Sequence, residues 1–181
     1  MTTRGEQAIE VARKQSLDGP RIDKWLGEDT ATGWCLKAVR TCYGVGARYR
    51  SATEAWHNAP IKHPNSIPPR GVPVYWTGGR GGFGHIAISA GDGRVWSTDS
   101  RRPGYFDLVD IEAPAVDWGL TYVGWSPYVN GARVYLDPWA MAPEAKRVDR
   151  ALTQAIGATT KATTRALYRA LRRSLRKGVR R

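Results

Sequence analysis

A loop carrying four prolines, Pro60, Pro64, Pro68 and Pro69 between Ala59 and Gly71, divides this sequence into two stretches with different hydrophobic grammar. Upstream, apolar residues recur at helical spacing. Thr3 and Glu6 match a capping box, whose side chains satisfy the free amides at a helix start, and Ala8, Ile9, Val11 and Ala12 follow as one apolar side. Asp18-Gly19-Pro20 stops that helix. A second helix begins near Trp34 or Cys35 and runs through Leu36, Val39 and Cys42 to Gly44 and Gly46; Ser51 and Glu54 repeat the capping-box spacing and open a short helix through Trp56. Downstream, the runs 72–77, 85–89, 94–98, 105–111, 120–123 and 132–136 read as short strands, with Gly91-Asp92-Gly93 a hairpin turn between the second and third. Helices first and an antiparallel sheet afterwards predict an α+β domain over residues 1–140.

With 41% hydrophobic residues and eight tryptophans, the chain has the material for a packed core. No apolar run is long enough to span a bilayer, and Met1 to Glu6 lacks the apolar stretch of a secretory signal, so the expectation is a protein made in the cytoplasm that leaves only by another route. Cys35 and Cys42 are too few for a disulfide framework. On one helix they lie two turns apart, about 10 Å along the axis, too far to bridge. No Cys or His cluster has structural-zinc spacing, and no cofactor is expected.

The positive charge is unevenly placed. Residues 151–181 hold nine Lys or Arg and no acid, so the tail supplies most of the net +12 and leaves +3 for residues 1–150. Leu167, Leu171 and Leu175 recur every four residues with arginines on the other faces, which outlines a cationic amphipathic helix within a tail over 141–181. Such a helix suits anionic lipid or anionic wall polymers, attracted through a long-range field. Nucleic acid is a further partner for a basic tail, but the leucine period favours a surface over naked phosphate contacts.

Each cysteine needs an explanation in packing or chemistry. Cysteine attacks as thiolate, and a helix N-terminus favours negative charge through its unpaired amides and dipole. Cys35 sits at the predicted helix start, after Gly33-Trp34; Cys42 sits two turns in, on the side of Leu36 and Val39, as a small buried hydrophobe. The base must come from His57, His63 or His85. The first two lie at a helix end and in the Pro-rich loop, as surface residues. His85 opens a strand directly after the glycine-rich run 78–84, where a side chain is held firmly with room beside it for substrate. A third residue should orient the imidazole through its other nitrogen. With a three-residue loop at 91–93, Asp99 falls opposite His85; Ser97 is the alternative on the same face, and a two-residue loop would bring Ser100 there instead.

Other features have plainer readings. Gly79-x-Gly81-x-x-Gly84 matches a dinucleotide fingerprint in form, but a strand and a hairpin turn follow it where that motif needs a helix. The same stretch looks like one RGG-type RNA-binding repeat, and a loop beside the substrate is the better use of it. Trp76, Trp96, Trp118 and Trp125 read first as sheet and core packing, with one or two available to line a cleft; Asn130-Gly131 reads as a hairpin turn.

Gly33-Trp34-Cys35-Leu36 with Val39-Arg40, then residues 69–76 (PRGVPVYW), then Gly84-His85-Ile86-Ala87-Ile88, resemble the cysteine, histidine-dependent amidohydrolase/peptidase (CHAP) and NlpC-like cell-wall hydrolases of papain-like fold. The resemblance covers roughly residues 5–131 and looks closest to the lysis enzymes of actinobacteriophages. It implies cleavage of an amide bond in peptidoglycan, with Cys35 as nucleophile, His85 as general base and Asp99 as orienter. The family spacing points to Ser97 for the third role, while Asp99 is the stronger acceptor. Many relatives carry Asp or Gln directly before the cysteine, where it helps stabilise the oxyanion; this chain has Trp34 there.

The expectation is therefore an endolysin-type cysteine endopeptidase or amidase, concentrated at the envelope by its tail and reaching the wall through a holin-type release or from a virion. The competing expectation is a non-catalytic virion or nucleic-acid-binding protein that keeps the fold and binds through the tail. A third keeps the chemistry and changes the substrate, as a protein deamidase or processing protease.

Overall fold

The computed structural model describes residues 3–30 and 32–136. The predicted amphipathic helix of the tail lies outside the described residues. Five α-helices are present among them: α1 (Arg4–Leu17), α2 (Ile22–Leu26), α3 (Cys35–Cys42), α4 (Ala52–His57) and α5 (Ala113–Trp118), with one short 3-10 turn at Arg80–Gly82. Eight strands accompany them: β1 (His63–Pro64), β2 (Pro73–Gly78), β3 (His85–Ser89), β4 (Arg94–Thr98), β5 (Phe106–Asp110), β6 (Leu120–Trp125), β7 (Tyr128–Val129) and β8 (Ala132–Arg133). The first six form one antiparallel sheet in the order β1-β6-β2-β3-β4-β5, and β7 and β8 form a separate hairpin. The domain is α+β, with its N-terminal helices packed on one face of the sheet.

Local chemistry accounts for the helix starts. The Thr3 side chain accepts from the Glu6 amide at 3.2 Å, and Ser51 from the Glu54 amide at 3.0 Å. Each satisfies one of the amides that a first turn leaves unpaired. Glu54 completes a capping interaction by accepting the Arg50 amide at 2.8 Å. At the far end of the domain, Asn130 and Gly131 both take positive φ, 47° and 80°, which a two-residue turn between β7 and β8 requires.

The strand alternation sorts the core onto two faces. Tyr75, Ile86 and Ile88 face the helices, where they meet Ala8, Ala12, Val39 and Trp56. Val74, Trp76, Ala87 and Val95 face the other way, with Leu120 and Trp125. Burial of this kind stabilises by about 25 cal/mol per Å² of apolar surface removed from water. The central pair β2 and β3 is therefore covered on both sides, and every residue of β3 is buried. A strand so confined fixes the position of its first side chain, His85.

Four features depart from the sequence expectation. The region between the first two predicted helices holds the short α2, and the segment before β6 holds α5, with Pro114 in its first turn and Gly119 as a left-handed cap. The Pro-rich loop contributes the two-residue β1 to the sheet edge. The last predicted strand is short, because Ala132–Arg133 pairs only with β7.

Candidate active site

Cys35 is the first residue of α3, and Trp34 precedes it as a cap without a side-chain hydrogen bond. The Trp34 indole is held elsewhere: Nε1 donates to the Thr30 carbonyl at 2.9 Å and reaches Thr30 Oγ1 at 3.1 Å. Burial pushes the Cys35 thiol up to about 11, opposed by the backbone amides of Ile86, Leu36 and Cys35 and reinforced by the charge of Asp99. Cys35 and His85, the first residue of β3, line the same cleft. Cys42 is buried on the interior side of α3, and burial pushes its thiol up as well.

His85 is 4% exposed. Its ring lies between two indoles, with centroids 5.8 Å from Trp76 and 5.0 Å from Trp118, the latter edge-on at 72°. Burial in this apolar cage pushes the imidazole down to about 3. The ring is neutral at ordinary pH, with one nitrogen bearing hydrogen and the other free to accept a proton. Gly84 permits the chain to enter β3 here. Its φ is +67°, and a Cβ on it would stand 2.3 Å from the Trp76 carbonyl oxygen and 2.5 Å from Thr53 Oγ1.

The far ring nitrogen has a neutral partner. His85 Nε2 and Ser97 Oγ are 2.8 Å apart, and Ser97 is fully buried. Ser100 Oγ donates to Ser97 Oγ at 2.7 Å. The hairpin register is the one the sequence predicts for a three-residue loop: Ile88 pairs with Trp96, Ser89 with Val95, and the Ala90 amide donates to the Arg94 carbonyl at 2.8 Å. Continued to the strand end, that register sets residue 99 opposite residue 85. Asp99, the residue expected as orienter, makes no hydrogen bond to the ring among the described residues: β4 ends at Thr98, Asp99 takes φ 65°, and its carboxylate accepts the Gly104 amide at 2.7 Å. Burial raises the Asp99 carboxyl above its usual range, an effect offset by the amides of Gly104 and Gly33.

Cys35, His85 and Asp99 all line one cleft of about 580 Å³. Among the described residues, Ser97 is the hydrogen-bond partner of the His85 ring, and no hydrogen bond joins that ring to Cys35. Such bonds tighten when substrate is bound. Trp118, Phe83, Arg50 and Arg80 form further walls. Of the four tryptophans singled out in the sequence, Trp76 and Trp125 are core residues, and Trp125 stacks on His63 at 3.9 Å. Trp118 is the cleft residue. Its helix was signalled by Pro114 and Gly119, a start and a stop five residues apart, but nothing local shows that the helix brings its last side chain onto His85. His57 is exposed, away from this cleft. Among the described residues no group of three His, Cys, Asp or Glu could hold a metal ion.

No family model and no curated protein matches the chain. Among solved structures, the P60 domain of an antigen from M. avium subspecies paratuberculosis is similar, at 21% identity and a TM-score of 0.47 over 68% of this chain and 93% of that one.

Proposed function

We propose that this protein is a cysteine-dependent hydrolase of papain-like type that cleaves amide bonds in the peptide part of the bacterial cell wall. The observation that carries this reading is one cleft walled by a helix-start cysteine and a buried, neutral histidine whose far nitrogen is already held by Ser97. In the proposed reaction the sulfur attacks the carbonyl carbon while His85 takes the thiol proton, because the thiol is protonated near neutral pH. His85 then passes that proton to the leaving amine, and water hydrolyses the thioester to release the acid. The Cys35 backbone amide is one donor for the oxyanion. Arg50 and Arg80 on the cleft wall suit carboxylates of the substrate, and Phe83 and Trp118 suit its apolar groups. The basic tail concentrates the enzyme at an anionic envelope, and a phage origin with holin-type release belongs to the same proposal.

The test is clearing of actinobacterial cell-wall suspensions. Wild-type protein should clear them and release new amino and carboxyl ends, while Cys35→Ala and His85→Ala should not. Clearing that persists in Cys35→Ala overturns the mechanism.

One observation favours a second reading. Burial raises the Cys35 thiol and lowers His85, the reverse of a preformed thiolate–imidazolium pair. A non-catalytic binding protein would show this too. It would bind DNA in a salt-sensitive way lost on deleting residues 151–181, and its Cys35 would react with iodoacetamide no faster than Cys42.

A further inference from the structure

We infer that the catalytic cleft continues into a second, cationic pocket that holds a carboxylate of the substrate, a short way along the peptide from the scissile amide. The inference deepens the hydrolase reading and rests on it for the identity of the bound chain. The second pocket has a volume of about 310 Å³ and shares Gly33, Leu36 and Arg50 with the cleft of Cys35 and His85. Its border with the cleft is open at Gly33, where a Cβ would meet nothing within 4 Å. α3 runs along both: Cys35 at its start lines the cleft, and Lys37 and Arg40 further on line the pocket. From Cys35 to Arg40 is about 7.5 Å along the helix axis. An extended peptide covers that distance in two or three residues, at about 3.3 Å each.

The charges of this pocket do not cancel. Glu28 lines it, but Glu28 is paired with Lys37, whose ammonium also donates to the Leu26 carbonyl at 2.9 Å. Arg40 and Arg50 remain, and among the described residues neither is paired with a carboxylate. Arg40 gives one donor to the Val45 carbonyl at 3.3 Å and keeps its other N–H groups. A guanidinium matches a carboxylate both in charge and in its paired donors. Trp34 and Tyr49 add apolar wall, and the Trp34 indole is held there by its bond to the Thr30 carbonyl at 2.9 Å. The volume lies near the bottom of the range of small-molecule sites, about 300–1,000 Å³, which suits one acidic side chain or chain end. A nucleic acid instead needs cations strung along its phosphates. An acidic residue of the peptide already in the cleft is therefore the occupant that fits.

The experiment titrates two peptides, acetyl-Ala-Glu-Ala-amide and acetyl-Ala-Gln-Ala-amide, into the full-length Cys35→Ala protein, which binds without turnover. The readout is the NMR signal of the Trp34 indole, assigned by its loss in Trp34→Phe. The Glu peptide should bind about tenfold more tightly than the Gln peptide and move that signal. Adding Arg40→Gln should abolish most of the preference, and Arg40→Lys, which restores the charge, should keep much of it. In the active protein Arg40→Gln should raise KM for wall fragments about tenfold with kcat little changed. Equal affinities, binding of neither peptide, or a preference unmoved by Arg40→Gln overturns the inference. A DNA oligonucleotide that displaces the Glu peptide overturns it too, in favour of phosphate. The comparison of the two peptides decides the point even where Arg40→Gln fails to fold. If the Glu peptide binds as stated while wild type digests no wall, the pocket stands and the hydrolase reading falls; digestion without the peptide preference gives the reverse.

Discussion

The Asp99 carboxylate accepts the Gly104 amide at 2.7 Å, and it also meets the amide of Gly33, two residues before Cys35. One side chain thus links the turn after β4 to the loop before Cys35. Its negative charge contributes to the raised Cys35 thiol, behind burial. Ser97 holds the ring nitrogen of His85, and Asp99 holds the turn that follows β4.

Asp99→Asn keeps an acceptor for the amides while removing the charge. The Cys35 thiol should titrate at lower pH in this variant, and iodoacetamide should modify it faster near neutral pH. The measurement is the alkylation rate across a pH series. An unchanged or slower rate would show that the carboxylate charge does not reach the sulfur.

Ser97→Ala removes the partner of a ring nitrogen that is sealed from water. An unsatisfied buried donor costs about 1–3 kcal/mol, so the midpoint of chemical denaturation should fall measurably. Activity should fall more steeply than in Asp99→Asn, because the ring loses the hydrogen-bond partner of Nε2. Equal activity in Ser97→Ala and wild type would remove Ser97 from the mechanism.

The two cysteines should differ in kind. Cys35 lines the cleft and Cys42 is sealed on the interior side of α3. In the native protein a small alkylating reagent should modify Cys35 alone, with a rate that rises toward alkaline pH as the thiol ionises. Cys42 should react only when denaturant opens the domain. Mass spectrometry of the labelled peptides reads both outcomes.

How much of this was legible in the sequence follows from how local each signal is. The caps at Thr3 and Ser51 and the turns at Gly91-Asp92-Gly93 and Asn130-Gly131 are matters of adjacent residues, and they appear as read. Cys35 at a helix start and His85 at a strand start follow from the same local rules. The third member was harder, because register says which residues face each other and not where a strand ends. A positive φ at Asp99 turned its carboxylate to Gly104 and left Ser97 under the ring. Trp118 could not be singled out from Trp76, Trp96 and Trp125 as the cleft residue for a related reason. Its place over His85 depends on how α5 packs beside β6, a tertiary fact that no short pattern encodes.

Gly84 offers a steric test of the strand entry. Its φ of +67° suits glycine, and an added Cβ would meet backbone oxygen at 2.3 Å. Strain at such a position costs about 1–3 kcal/mol before the clash is counted. Gly84→Ala should therefore melt at lower temperature and lose activity as His85 shifts from Trp118 and Ser97. Gly93→Ala, with positive φ but open space around its Cβ, should cost stability without the same loss of activity.

Burial of His85 makes a prediction about stability and pH. The folded protein holds the imidazole down near 3, whereas an unfolded chain exposes it at its ordinary value of 6.5. Between those values the unfolded chain binds a proton that the folded one excludes, so stability falls as pH is lowered through this window. Above it the group has no effect. The contribution lost by about pH 5 is about 2 kcal/mol, since each pKa unit is worth about 1.4 kcal/mol. Carboxylates begin to titrate at lower pH, so the comparison belongs between about pH 7 and pH 5. In His85→Gln this component vanishes, while His57 and His63 are present in both proteins and cancel. Wild type should accordingly lose more stability than His85→Gln over that interval, read by urea denaturation at each pH. Parallel losses in the two proteins would mean that His85 takes up its proton without leaving the cage of Trp76 and Trp118.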